Sequence, residues 1–175
     1  MTDIKQPASA YQSPRFCNMG TFMRMQKVDS AEGLDFAIAG APFDTASSFR
    51  SGSRFGPNAI RNISAMMKPN NVIMQVNIMD GLKGGDIGDF NVTPGYIHPT
   101  YQAIEEGVAN ILKENACPIV LGGDHSITLA ELRAVAKKYG PVAWCTLIPI
   151  PIYVMRYLAR NITMARRSAG LWKKI

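Results

Sequence analysis

The sequence has few cysteines and histidines, no long apolar run and, beyond Glu131, no acidic residue at all. Its three cysteines, Cys17, Cys117 and Cys145, are odd in number and widely spaced, with no C-x-x-C pair. That argues against a disulfide framework and against a zinc ribbon. It makes a reducing cytoplasm the expected compartment. No stretch approaches the ~18 apolar residues of a membrane span. The opening MTDIKQPASAYQSPR lacks the apolar centre of a secretory signal and reads as a loose arm. Charged residues are scarce at 18%, whereas hydrophobic residues reach 47%. The chain is therefore not wholly disordered, and 175 residues suit one domain with room for a tail.

The acidic residues are missing from one end only. Residues 1–131 carry ten basic and all thirteen acidic side chains, a net charge of −3. Residues 133–175 carry the other nine basic residues and no acidic one, a net charge of +9. Such asymmetry marks either a tail that binds nucleic acid or a membrane, or a segment never selected as protein.

What is present is an alternation of apolar runs and helical patterns. Asp35 to Phe43 reads as a short buried strand that ends at Gly40 and Pro42. Pro57 to Ser64 reads as a helix with proline at its first position and Ile60 and Ile63 on one face. A second strand is supplied by Val76 to Asp80 or by Leu82 to Ile87. Thr100 to Asn115 is the clearest helix, with Ile104, Val108, Ile111 and Leu112 at i, i+4, i+7 and i+8. Pro118 to Gly122 is a continuous apolar strand of the kind covered on both faces. Ser126 is placed to cap a helix running to about Tyr139, and Pro141 to Ala143 opens a fourth strand. This order predicts an α/β fold with a parallel sheet.

In open α/β sheets ligands bind beyond the carboxyl ends of the strands. Asp44, Asp86, Asp89 and the pair Asp124-His125 fall at such ends. Carboxylates with an imidazole suit a hard or borderline cation such as Mn2+. The residues alone leave a second role open for His125, as a helix cap. His98 lies between Ile97 and Pro99 and reads as a loop residue. Gly84 to Gly88 matches no phosphate-binding pattern and reads as a turn. Met66, Met67, Met74 and Met79 read as packing residues.

Two motifs narrow the field. Gly40-Ala-Pro-Phe-Asp44, with Arg50-Ser-Gly-Ser-Arg-Phe-Gly-Pro-Asn-Ala-Ile-Arg61, resembles the N-terminal signature of the ureohydrolase (arginase/agmatinase) family. Gly122-Gly-Asp-His-Ser126, on the end of an apolar strand, resembles that family's first metal motif, and Asp86-Ile-Gly-Asp89 stands between them as expected. The resemblance runs from about Pro14 to Ala143. Pro14-Arg-Phe16 and Gly20-Thr-Phe-Met-Arg24 place it nearer the agmatinase and guanidinobutyrase branch than arginase itself. It implies a three-layer arginase-like fold and a binuclear manganese hydrolase that splits a linear guanidino compound into an amine and urea. Two divalent cations would lower the pKa of a bridging water and stabilise the tetrahedral intermediate. Carried onto this chain, the resemblance makes His125 a metal ligand and Asp124 the residue that positions its loop. It makes the region of Asp44, Arg50 and Arg54 the substrate entrance and a site of subunit contacts. It gives no residue here a chemical step, and it implies a homo-oligomer for an intact member.

The same resemblance shows what does not follow. The family's D-x-H-x-D motif, its later D-x-D motif and its H-G-T-like segment are all missing. Where D-x-H-x-D belongs, after Ala143, the chain reads Trp-Cys-Thr-Leu-Ile-Pro-Ile-Pro-Ile152, and no histidine follows His125. Back-translation offers a reason. One base restored before the codon of Trp144 permits Val-His-Phe-Asp-(Ser/Thr/Pro)-His-(Ser/Thr)-Asp over 144–152. The same frame permits His-Gly-Thr-Pro-Phe-Arg-Arg-Ala-Val-Glu-Glu within 161–175. We therefore read 1–34 as an N-terminal arm and 35–143 as a partial ureohydrolase domain truncated after about its fourth strand. We read 144–175 as an aberrant, frameshifted basic tail. On this reading the chain is an agmatinase-like amidinohydrolase by lineage and inactive as written. The competing reading is a non-catalytic fragment or a binding protein. Its tail would place Arg156, Arg160, Arg166, Arg167, Lys173 and Lys174, with Tyr153, Tyr157 and Trp172, against nucleic acid or an anionic membrane. The expected partner is a small guanidino substrate; neither a membrane nor nucleic acid is expected.

Overall fold

The computed structural model describes residues 13–15, 17 and 20–145. Its centre is a parallel sheet of three strands: β1 (Phe36–Ala41), β4 (Gly84–Asp89) and β5 (Cys117–Gly122), in the order β4-β1-β5. Two further strands, β2 (Asn70–Asn71) and β3 (Val76–Asn77), form a small antiparallel hairpin outside that sheet. The helices are α1 (Gly56–Ser64), the single turn α2 (Ile78–Gly81), α3 (Ile97–Lys113) and α4 (Thr128–Tyr139).

Side chains alternate across a strand, so β1 sorts its residues between two faces. Ala37, Ala39 and Ala41 point into the main core, where Ile104, Val108, Ile111 and Leu112 of α3 and Ala130 and Ala134 of α4 meet them. The small residues of β1 and α4 let the layers close up, and the branched chains of α3 fill the space. Truncating one of those branched chains to alanine would cost about 2–5 kcal/mol. Gly40 points to the opposite face, where a Cβ would lie 3.0 Å from Cβ of Pro57 and collide with the Asp89 carboxylate. Glycine at that position lets α1 and the end of β4 approach β1. The result is three layers: α1, the sheet, then α3 with α4.

The edges of the sheet differ. The outer edge of β4 is covered: the Val28 amide donates to Asp86 O (3.0 Å), and the Asp86 amide donates to Gln26 O (3.0 Å). Much of the stretch read as an arm is therefore packed, with Met25, Ala31 and Leu34 buried. On β5 the amides of Cys117 and Gly123 donate to Asp35 O and Ala41 O, so the backbone groups of odd-numbered residues face β1 and those of even-numbered ones face an edge that no described strand pairs with.

Several sequence expectations change. Of the two readings of the second strand, Leu82 to Ile87 corresponds to β4 and Val76 to Asp80 falls away, because Val76 and Asn77 pair with Asn71 and Asn70. Residues 142–145 form no strand, so the described parallel sheet has three strands and not four. The tail reading at 146–175 lies outside the described residues. His98 sits in the first turn of α3 rather than in a loop. Asp124, not Ser126, caps the turn before α4, its carboxylate accepting from the Ser126 amide. Met66, Met67 and Met74 are exposed, not packed.

The inner face of α1 is partly polar. Ile60 and Ile63 look outward, and the helix buries Pro57, Arg61 and Ser64. A buried arginine needs a complete set of partners. Arg61 donates from Nε and Nη2 to the two oxygens of Asp86, each at 2.9 Å, from Nη1 to Asp89 Oδ1 (2.5 Å) and from Nη2 to Gly88 O (3.0 Å). Asp86 also accepts from the amides of Gly88 (2.9 Å) and Phe22 (2.7 Å). Met23 and Arg24, both in the left-handed region at φ 52° and 59°, are held there partly by the Met23 amide donating to Ser64 Oγ (2.7 Å).

Two predictions follow from the packing. Asp86→Ala leaves the Arg61 charge buried with half its partners and should cost about 3–5 kcal/mol in urea denaturation. Separately, burial pushes the Glu131 carboxyl of α4 up to about 7. A carboxyl raised in the folded state adds stability below its unfolded value, and that contribution is lost as pH rises through the folded one. Glu131→Gln should therefore leave stability unchanged near pH 4 and raise it above pH 7, on the order of 2 kcal/mol. Thermal melts across that range check the sign.

Candidate functional site

The carboxyl ends of β1 and β5 lie side by side, and the loops that leave them are stitched together. After β5 the Gly123 amide donates to Ala41 O (3.1 Å) and the Asp124 amide to Phe43 O (2.7 Å). A Cβ on Gly123 would sit 1.9 Å from Phe43 O, so only glycine fits between the two loops. This contact sets where His125 begins. Asp124 then acts in two directions. One carboxylate oxygen accepts from the Ser126 amide (2.9 Å) and hydroxyl, and the other from the Ala46 amide (2.9 Å) of the loop after β1.

Asp44 organises that loop from its other end. Its buried carboxylate accepts from the Gly52 amide (2.7 Å) and from Arg54 Nε (2.7 Å). The Arg54 hydrogen bond, with help from the amides of Gly52 and Arg54, outweighs burial and holds the Asp44 carboxyl down at about 2. Arg50 is exposed, its guanidinium 5.1 Å from the centre of the Phe49 ring. Asp44, Arg54, Asp124 and His125 are thus gathered into one rim, with Arg50 on its solvent side.

Asp86 and Asp89 do not belong to this rim. Asp86 gives both carboxylate oxygens to Arg61, and Asp89, half-exposed, gives it Oδ1. Sequence position put them at a strand end, but the direction in which a side chain leaves the strand decides what it meets.

His125 sits in the short turn His125–Ile127 before α4. Its Nδ1 lies 3.4 Å from Thr128 Oγ1, and its Nε2 is buried with no hydrogen-bond partner among the described residues. The Trp144 ring lies 6.0 Å away, tilted by 32°. An imidazole with one nitrogen beside a hydroxyl and the other buried and unpaired has the form of a metal ligand. The rest of the donor set does not match. Among the described residues no group of three or more His, Cys, Asp or Glu side chains is arranged to hold a metal ion. The neighbouring carboxylates, Asp44 and Asp124, are engaged with Arg54 and with amides. The residues present fit one imidazole ligand, not a manganese pair.

Sequence reasoning missed Thr128, Trp144 and Ser53, whose hydroxyl oxygen is also buried without a partner. Thr128 had a usable signal, standing three residues after His125 across one helical turn. Ser53 was legible only as part of the Arg50 to Arg61 segment, and Trp144 had no signal.

A carboxyl lowered in the folded state contributes stability that is complete above its unfolded value and lost as pH falls. The Asp44 contribution should therefore be shed as pH falls from about 3.8 to about 2. Asp44→Asn should remove this part of the acid transition and free the loop, detectable as faster amide exchange at Gly52 and Arg54.

Comparison with known proteins agrees with this architecture. The arginase family's sequence model matches residues 34–146. The proclavaminate amidinohydrolase of Streptomyces clavuligerus is 37% identical over 134 residues, which are 77% of this chain and 43% of that protein. Its solved structure superposes with a TM-score of 0.70 over 75% of this chain and 44% of its own. The guanidinobutyrase of Pseudomonas aeruginosa is 39% identical over 143 residues, 80% of this chain and 45% of that enzyme. A formiminoglutamase variant of Trypanosoma cruzi, solved with Mn2+, is 25% identical with a TM-score of 0.59, over 69% of this chain and 41% of its own. The chain thus spans less than half the length of these relatives. It belongs to the arginase (ureohydrolase) family.

Proposed function

We propose that this chain carries the N-terminal part of an agmatinase- or guanidinobutyrase-like amidinohydrolase. Its role in that fold is to present His125 as one manganese ligand and to shape the substrate entrance with the Asp44–Arg54 loop. The reaction class of the lineage is hydrolysis of a linear guanidino compound to an amine and urea. The observation that carries this reading is the buried, unpartnered Nε2 of His125 at the end of β5. Support comes from the relatives, among them a guanidinobutyrase and a proclavaminate amidinohydrolase, and from a related structure solved with Mn2+.

We propose further that these 175 residues by themselves do not complete the reaction. Manganese prefers several oxygen donors in addition to imidazole. The chain offers no acidic residue beyond Glu131 and no histidine beyond His125. The carboxylates of the rim already hold its loops together. In this chain Asp124 therefore positions the His125 turn, and Asp44 the entrance loop.

The test is a manganese titration by equilibrium dialysis together with a urea-release assay on guanidinobutyrate and agmatine. The expected result is no tightly bound Mn2+ pair and urea release at the buffer rate. Any weak binding present should disappear in His125→Ala. Two tightly bound ions per chain, both lost in His125→Ala and accompanied by urea release, would overturn the reading of an incomplete site.

A further inference from the structure

Trp144 stands beside His125 without bracing its loop or offering a metal an electron pair, since an indole nitrogen only donates. α4 ends at Gly140, whose φ of 78° and ψ of −157° suit glycine. The chain turns there, and Trp144 comes back to the residue just before α4. Its ring centre lies 6.0 Å from that of the imidazole, at an interplanar angle of 32°. Offset ring pairs have centres roughly 4.5–7 Å apart, so the two rings are in contact. Trp144 is half-buried while Ala143 and Cys145 on either side are exposed. The indole is thus turned inward from an otherwise outward-facing stretch.

The two nitrogens of His125 are placed differently. Nδ1 lies 3.4 Å from Thr128 Oγ1. Nε2 is buried with no hydrogen-bond partner among the described residues. Burial of this kind, without a bond in exchange, is what an apolar ring face imposes on a polar atom. Ile127, the other large side chain of the turn, reaches toward Gly122 instead, where an added Cβ would meet its Cδ1 at 2.7 Å.

We propose that Trp144 is a lid on His125: its indole closes the imidazole on the side of Nε2 and keeps that nitrogen from outside ligands, a divalent cation among them. The segment after α4 then acts against the site in two ways. It brings no acidic residue or histidine, and its inward ring shields the one imidazole that is present. The lid stands whether or not His125 binds a metal; only the access of a cation rests on the metal-ligand reading.

The chain has two histidines, and exposed His98 serves as an internal standard for His125. Diethyl pyrocarbonate acylates neutral imidazoles, and peptide mapping reads the two sites separately. At about pH 8 ordinary imidazoles are neutral. There, His125 of the native chain should react roughly tenfold or more slowly than His98, because it waits for local opening. Trp144→Ala should bring it to within about twofold of His98. Trp144→Phe, which keeps an apolar ring, should keep it slow. An unchanged His98 rate and far-ultraviolet spectrum report that the variants are folded. A nuclear Overhauser effect between indole and imidazole protons is expected in the native chain and needs no variant. Dilute Mn2+ should broaden the His125 imidazole resonances in Trp144→Ala and not in the native chain. The lid is overturned if native His125 reacts as fast as His98, if Trp144→Ala leaves it slow, if Trp144→Phe opens it as fully as alanine does, or if no Overhauser effect joins the two rings. A His125 opened to acylation that Mn2+ does not broaden overturns the metal-ligand reading and leaves the lid in place.

Discussion

The buried pair of Arg61 and Asp86 joins more of this molecule than any other interaction. It connects α1 to β4, and through the Phe22 amide it brings in the N-terminal segment whose neighbours Gln26 to Val28 cover the β4 edge. Ion pairs of this kind add little net stability compared with a well-packed apolar pair of the same shape. They are directional, however. A guanidinium that must satisfy two carboxylates and a carbonyl accepts few arrangements of the elements that carry them. The direction of these bonds is what fixes α1 on the sheet.

The opposite face follows a different rule. There the alanines of β1 and α4 and the branched side chains of α3 pack without polar groups, and the hydrophobic effect sets the arrangement. The sheet thus lies between an apolar layer that supplies cohesion and a polar layer that supplies orientation. The rim of the candidate site hangs from the ends of β1 and β5, where Gly123 permits the close contact of the two loops. Asp44 and Asp124 then spend their charges on holding that contact. Because they do so, they are committed to the loops, and among the described residues His125 stands without a carboxylate group arranged beside it to hold a metal ion.

Outside the site, the chain shows considerable apolar surface. Ile63, Met66 and Met67 around the end of α1, and Val72, Ile73 and Met74 on the hairpin, are all exposed.

Much of this was legible in the sequence. The period of Ile104, Val108, Ile111 and Leu112 determined α3 and its buried face, and the apolar run from Pro118 to Gly122 determined a parallel strand. The glycine- and arginine-rich segment before Arg61 and the Gly122 to Ser126 motif pointed to the family, and the family match over residues 34–146 agrees with them. Local pattern did not decide the inner face of α1. Ile60 and Ile63 have the hydropathy of core residues, yet the partners waiting on β4 were carboxylates, and a buried arginine making four hydrogen bonds took the inner face. Nor could pattern separate Asp86 and Asp89 from the rim, because two carboxylates at a strand end look alike whether they face a cation site or a guanidinium. Only the tertiary structure aims a side chain. It was the register of β4 against β1, and the closeness that Gly40 and Gly123 allow, that sent two carboxylates to Arg61 and left the second nitrogen of His125 without a partner.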